Sequence, residues 1–152
     1  MSSTGSQVGN LAPDIDLPDG EGNHWTLSSY RGKPVVLLFY PADETPTCTK
    51  QLCSVRDNWE RYMAAGAEVV GINGDSISKH QKFAANHKLP LRLLSDVEGG
   101  VLKAYDMNSF LGVRRGVIVI DKEGVIRYRR TVFPLFRPTD DEIINAIALA
   151  EK

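Results

Sequence analysis

Val35-Val36-Leu37-Leu38-Phe39-Tyr40-Pro41-Ala42-Asp43-Glu44-Thr45-Pro46-Thr47-Cys48-Thr49-Lys50-Gln51-Leu52-Cys53 joins a strand to a helix through a short turn. Residues 35–40 are apolar throughout and bounded by Gly32 and Pro41, a pattern that suits a strand covered on both faces. Thr45 can cap the helix that follows, and Pro46 fits its first position. Cys48 then falls in the first turn. There, unpaired backbone N–H groups and the positive end of the helix dipole favour thiolate over thiol, and thiolate is the reactive form. Leu52, Val55, Trp59 and Tyr62 recur at three- and four-residue steps on the face that carries Cys48. The spacing predicts one helix from Pro46 to about Met63, ending near Gly66, with the cysteine at the base of a pocket.

Cys48 and Cys53 are the chain's two cysteines. Five residues turn a helix by about 500° and separate the two Cα atoms by about 8.6 Å. A disulfide needs Cα atoms within about 7 Å. The two thiols therefore cannot bond across an intact helix, and any pairing requires local unwinding. An isolated cysteine is most often inert packing. The cap, the proline and the second thiol point instead to redox or nucleophilic chemistry. A metal site is not expected, because His80 and His87 are seven apart on a helix read as solvated and His24 stands alone.

Outward from this stretch, residues 68–72 and 116–120 repeat the buried-strand pattern. Residues 125–129 alternate after Asp121-Lys122-Glu123-Gly124, which predicts an antiparallel hairpin. Asp75-Ser76 can open a helix that reaches His87 before Leu89-Pro90. Ser95 and Glu98 have capping-box spacing ahead of Val101, Leu102 and Tyr105. Thr139 and Glu142 form a second capping box ahead of Ile143, Ile144 and Ile147. The order β, α, β, α, short β, α, β-hairpin, α is that of an α/β sandwich with a mixed sheet flanked by helices.

At 152 residues the chain suits a single domain, 1–152, with about the first eight residues frayed. A net charge of −1 gives no reason to expect nucleic acid or a membrane surface as partner. The longest apolar run, 35–40, is too short to span a bilayer, and the N-terminus lacks a signal-peptide pattern. A cytoplasmic location is expected, where two cysteines suggest reactive thiols over a structural staple.

Phe39-Tyr40-Pro41-x-Asp43-x-Thr45-Pro46-x-Cys48-Thr49 resembles the active-site signature of peroxiredoxins. The second cysteine five residues on resembles the bacterioferritin comigratory protein, or peroxiredoxin Q, branch. Leu11-Ala12-Pro13-Asp14, residues 27–33, Gly71-Ile72-Asn73-Gly74-Asp75-Ser76, Leu94-Ser95-Asp96 and Arg115-x-x-x-Val119-Ile120-Asp121 are similar to further family landmarks in the same order. The resemblance implies a thioredoxin-like fold and thiol-dependent reduction of hydrogen peroxide and organic hydroperoxides, with no cofactor. By position, Cys48 would be the peroxidatic cysteine and Cys53 the resolving one. Thr45 would hydrogen-bond peroxide and sulfur, Pro46 and Tyr40 would line the substrate pocket, and Arg115 would complete the site. The partners implied are a peroxide and a thioredoxin-like dithiol reductant, for a monomer or weak homodimer.

Only one of Arg114 and Arg115 can face Cys48, because successive strand side chains point to opposite faces. Parity alone does not choose, and the resemblance selects Arg115. Gln51 stands where the family often has an acidic residue, and Val117 where it often has Thr or Ser. Both bear on substrate preference. The apolar segment 132–138 reads either as a partner or dimer surface or as a loop folded onto the core. Two other functions compete: a general disulfide oxidoreductase, which lacks a Cys-x-x-Cys pair, and a redox sensor or redox-regulated binding domain without turnover.

Overall fold

A computed structural model of the chain describes residues 6–109, 112–132 and 138–151. Strands β1 (Asp16–Pro18) and β2 (His24–Thr26) form a small antiparallel hairpin. Then come β3 (Val35–Phe39), helices α1 (Pro46–Asp57) and α2 (Trp59–Ala64), β4 (Glu68–Asn73), α3 (Ile77–His87), β5 (Arg92–Ser95) and α4 (Gly100–Ala104). The short strands β6 (Asn108–Ser109) and β7 (Gly112–Val113) pair with each other. Strands β8 (Arg115–Ile120) and β9 (Ile126–Val132) and helix α5 (Asp140–Ala150) complete the described order.

Five strands build the central sheet in the order β5-β4-β3-β8-β9. β3 pairs in parallel with β4 and antiparallel with β8, so the sheet is mixed as expected. Every residue of β3 and of β8 is buried, because both faces of the sheet are covered. Alternation along β3 divides the core. Val35, Leu37 and Phe39 pack with Ile15, Trp25, Leu102 and Ile118 on one face. Val36, Leu38 and Tyr40 pack with Cys48, Leu52, Val55, Phe83, Val117 and Ile143 on the other. The cysteine helix thus lies on the same face of the sheet as α3 and α5.

The β8–β9 hairpin closes where the sequence places it. Asp121 Oδ1 accepts from the N–H groups of Glu123 and Val125, and Gly124 takes a φ of 91°. Ser76 caps α3 by accepting from Lys79 N–H, and Thr139 caps α5 by accepting from Glu142 N–H. The Glu142 carboxylate does not return to Thr139. It accepts from Tyr128 and Arg130 of β9 instead.

Two expected elements differ. The helix predicted over 46–63 is broken at Asn58, whose backbone leaves helical geometry at φ −109° and ψ 18°. The Asn58 amide donates to Ser54 O at 2.9 Å and to Asp140 Oδ2 at 3.2 Å, so one local and one long-range side-chain bond stand where the helix would continue. The capping box at Ser95 and Glu98 does not form. Ser95 ends β5, Gly99 opens α4 with a φ of 80°, and Asp96 Oδ2 accepts from Leu102 N–H at 2.7 Å. Of the N-terminal segment expected to fray, residues 1–5 lie outside the described residues, and Ser6 is buried with its carbonyl accepting from Arg129. Residues 133–137 of the apolar segment 132–138 also lie outside them. Among the described residues no helix is long and apolar enough to cross a membrane.

Candidate active site

The site forms where β3 ends. Antiparallel pairing sets Phe39 opposite Gly116, so β8 begins beside the exit of β3. Residues 117 and 119 share the face of Cys48, whereas 118 and 120 share the opposite one. Arg115 has the parity of the first pair and is buried, with Nη2 donating to Cys48 Sγ at 3.0 Å. Its Nη1 donates to Gln51 Oε1. Arg114 is exposed, and its backbone N–H donates to Met107 O. Both residues flanking the choice are apolar, so no pattern in the sequence could have told the two arginines apart.

Cys48 is fully buried on α1, with Thr45 and Thr47 half-buried and Pro46 exposed at the head of the helix. The helical ladder opens with Thr49 N–H donating to Thr45 O at 2.8 Å. The N–H groups of Thr47 and Cys48 lie ahead of it, at the positive end of the helix. Thr45 occupies the cap position with extended backbone, but its side chain makes no cap hydrogen bond. The hydroxyl donates instead to Ala42 O at 3.0 Å, which leaves its lone pairs as acceptors. Cys53 is half-buried on the same unbroken helix as Cys48, and both cysteines are free thiols.

Gln51, one turn beyond Cys48, is buried. Its Oε1 holds the Arg115 fork, and its Nε2 has no hydrogen-bond partner. Arginine keeps its charge at working pH, so a fixed guanidinium cation lies beside the buried sulfur.

Beneath the turn 41–45 lies a buried polar cluster that the sequence reading did not find. Tyr40 donates to Asp43 Oδ1 at 2.6 Å, and His80 Nδ1 lies 2.6 Å from Asp43 Oδ2. Burial first, then the Asp43 carboxylate, hold the Tyr40 hydroxyl well above the usual phenol range, so it remains a donor. His80, expected on a solvated helix face, has no exposed surface. It sits four residues after the Ser76 cap and faces inward with Phe83. A histidine three residues from a buried aromatic on one helix was the available signal. His87, by contrast, is half-buried and bonds Glu44, and His24 is exposed and bonds Asp16.

A groove of about 590 Å³ between α3 and the β5 edge is lined by Trp59, His80, Ala84, Leu89 and Arg92, and Cys48 does not reach it. Residues 8–129 match the family model described as the AhpC/TSA family. The chain belongs to this family.

Its relatives place it in the peroxiredoxin Q and bacterioferritin comigratory protein branch. It is 49% identical over 123 residues to "Peroxiredoxin Q, chloroplastic" of Triticum aestivum, covering 79% of this chain and 57% of that one. It is 43% identical over 128 residues to "Putative peroxiredoxin bcp" of Coxiella burnetii, covering 79% and 85%. The chain thus spans little more than half the length of the plant relative. The crystal structure of Peroxidoxin BcpB from Mycobacterium tuberculosis superposes with a TM-score of 0.82 at 33% identity, over 95% of this chain and 96% of that one. The AhpC/TSA chain described here has their thioredoxin-like fold.

Proposed function

We propose that the chain is a thiol peroxidase that uses Cys48 as its peroxidatic cysteine, Cys53 as its resolving cysteine and a thioredoxin-like dithiol protein as reductant. The observation that carries the reading is the 3.0 Å contact of Arg115 Nη2 with Cys48 Sγ at the head of α1. A thiolate held there faces backbone N–H groups and a fixed cation, which together stabilise charge passing from sulfur to a departing oxygen. The Thr45 hydroxyl, anchored on Ala42 O, can accept a hydrogen bond from the O–H of a bound hydroperoxide.

In the first step the Cys48 sulfur attacks one peroxide oxygen. The S–O bond forms, the O–O bond breaks, and the other oxygen leaves as water or alcohol once it takes a proton. Cys48 becomes a sulfenic acid. In the second step the Cys53 sulfur attacks Cys48, the S–S bond forms, and the sulfenic oxygen leaves as water. The external dithiol then attacks the disulfide and leaves oxidised itself, with both thiols restored. α1 runs unbroken through both cysteines, so the second step requires its local unwinding.

The test is peroxide-dependent NADPH oxidation with thioredoxin and its reductase. Wild type should turn over continuously and Cys48→Ser should be inactive. Cys53→Ser should consume one equivalent of peroxide and then stall. Stoichiometric oxidation of wild type without turnover would overturn the reading in favour of a redox sensor.

A further inference from the structure

His80 Nε2 lies 3.0 Å from Leu94 O. A carbonyl oxygen only accepts, so Nε2 carries a hydrogen and donates it. On the other side of the ring, Nδ1 lies 2.6 Å from Asp43 Oδ2. With Nε2–H fixed, that contact needs one more proton, on Nδ1 of an imidazolium or on the carboxyl of Asp43. Without it, a nitrogen lone pair would face a carboxylate in a place that water does not enter. Asp43 Oδ1 is engaged by Tyr40 O–H at 2.6 Å and by Asn73 Nδ2 at 3.4 Å. The Asp43 N–H donates to Asp75 Oδ2 at 2.8 Å, and Asn73 braces Asp75 in turn.

This cluster ties the turn 41–45 to β3, β4, α3 and β5 at once. The turn is held besides by Glu44, whose carboxylate bonds Asn86 Nδ2 and His87 Nε2 of α3 at 2.9 Å each, and by the Thr45 hydroxyl on Ala42 O. Glu44, its exposed residue, adopts a φ of 65°, which a non-glycine residue takes only under constraint. One residue later stands Thr45, and then the helix that presents Cys48.

We propose that Asp43 and His80 are positioning residues for the cysteine site, acting as one buried pair that holds a single shared proton and thereby fixes the turn that delivers Thr45 and the head of α1. Removing that proton breaks the contact, loosens the turn and lowers the reactivity of Cys48. The groups facing the pair are Tyr40 just after β3, itself in the field of Cys48 from α1, and Asp75 after β4 with Lys79 at 3.4 Å from it. Asp19 and Arg92 line the groove on the far side of His80. The inference rests on the peroxidase reading for its purpose, but its tests do not require turnover.

Asp43→Asn is the diagnostic variant. Its amide can donate to His80 Nδ1 while its carbonyl accepts from Tyr40, so every bond survives and no titratable proton remains. His80→Leu removes the contact altogether. Three readouts apply: ¹⁵N NMR of the His80 ring, amide exchange over residues 44–49 in a Cys48→Ser background, and alkylation of Cys48 by iodoacetamide in a Cys53→Ser background. Wild type should keep Nε2 protonated throughout and lose one proton from the pair in a single alkaline step, with amide protection falling in the same step. Asp43→Asn should show neither event and should alkylate within about twofold of wild type. His80→Leu should alkylate about tenfold more slowly at neutral pH, as expected for a displaced reacting group. If His80→Leu fails to fold, Asp43→Asn still decides. An alkaline loss of protection equal in wild type and Asp43→Asn overturns the proposal, as does an Nε2 found without its proton. Absence of peroxide turnover in wild type would sink the peroxidase assignment and leave these results intact.

Discussion

Arg115 reaches Cys48 across 67 residues of sequence, with Nη2 3.0 Å from Sγ, while Arg114 beside it faces outward. Arg115→Met removes the only guanidinium contact that the structure gives the sulfur among the described residues. Peroxide reduction should slow by about 10²- to 10³-fold, the scale seen when one stabilising donor is removed. Arg114→Met should stay within about threefold. Stopped-flow measurement of the first, peroxide-consuming step on both variants checks this, and equal effects would refute the assignment.

A Cys48–Cys53 disulfide would require α1 to be disrupted. Cys48 and Cys53 both lie within Pro46–Asp57, and the Cα separation of about 8.6 Å on a helix exceeds disulfide reach. After one equivalent of peroxide, mass spectrometry should find a Cys48–Cys53 disulfide, and amides of residues 49–55 should exchange faster than in the reduced form. A disulfide formed with unchanged protection across that segment would refute the conformational step.

Gly116 follows Arg115 at a crowded point of β8. A Cβ there would meet Met107 Cε at 2.7 Å, Sδ at 2.8 Å and Arg130 O at 3.2 Å. Met107 is itself fully buried and has little room to yield. Gly116→Ala should cost about 1–3 kcal/mol by overpacking, read as a lower urea midpoint. The shift in β8 should also slow Cys48 alkylation, although the sulfur's own contacts are untouched in sequence.

Acid should destabilise the fold through two particular carboxylates. Burial opposes ionisation of Asp121, but hydrogen bonds from Val125, Arg127 and Glu123 outweigh it and hold the carboxyl below its ordinary 3.8. Hydrogen bonds from Arg130 and Tyr128 hold Glu142 below its ordinary 4.5. A depressed carboxyl stabilises the fold fully above its unfolded value and ceases to do so as pH falls through its folded value. Urea midpoints should therefore be level near neutrality and drop below about pH 4. Glu142→Gln should flatten part of that drop, and an unchanged acid slope would refute the assignment.

The central strands and the caps of α3 and α5 were legible because each rests on local chemistry. Residues 35–40 carry an unmistakable buried-strand run, Gly124 closes its hairpin, and Ser76 and Thr139 cap where they stand. The break at Asn58 was not legible, since it depends on Asp140, which is 82 residues away in sequence. Nor was the cluster around His80 and Asp43, because its members Tyr40, Asp43, Asn73 and His80 come from the exit of β3, the following turn, β4 and α3. The sequence showed Thr45 at the cap but not that its hydroxyl turns back to Ala42. The contact between Arg115 and Cys48 needed the β3–β8 register, which neither strand's composition encodes.

That register also governs when the thiol gains its chemistry. As the chain is synthesised, Cys48 and the helix around it emerge long before Arg115, and β3 can pair with β4 while β8 does not yet exist. Contacts between distant segments form late in folding because loop closure must precede them. A partly made chain therefore carries Cys48 without its guanidinium. The guanidinium–sulfur contact is a property of the finished sheet, and a nascent or misfolded copy presents a cysteine without it.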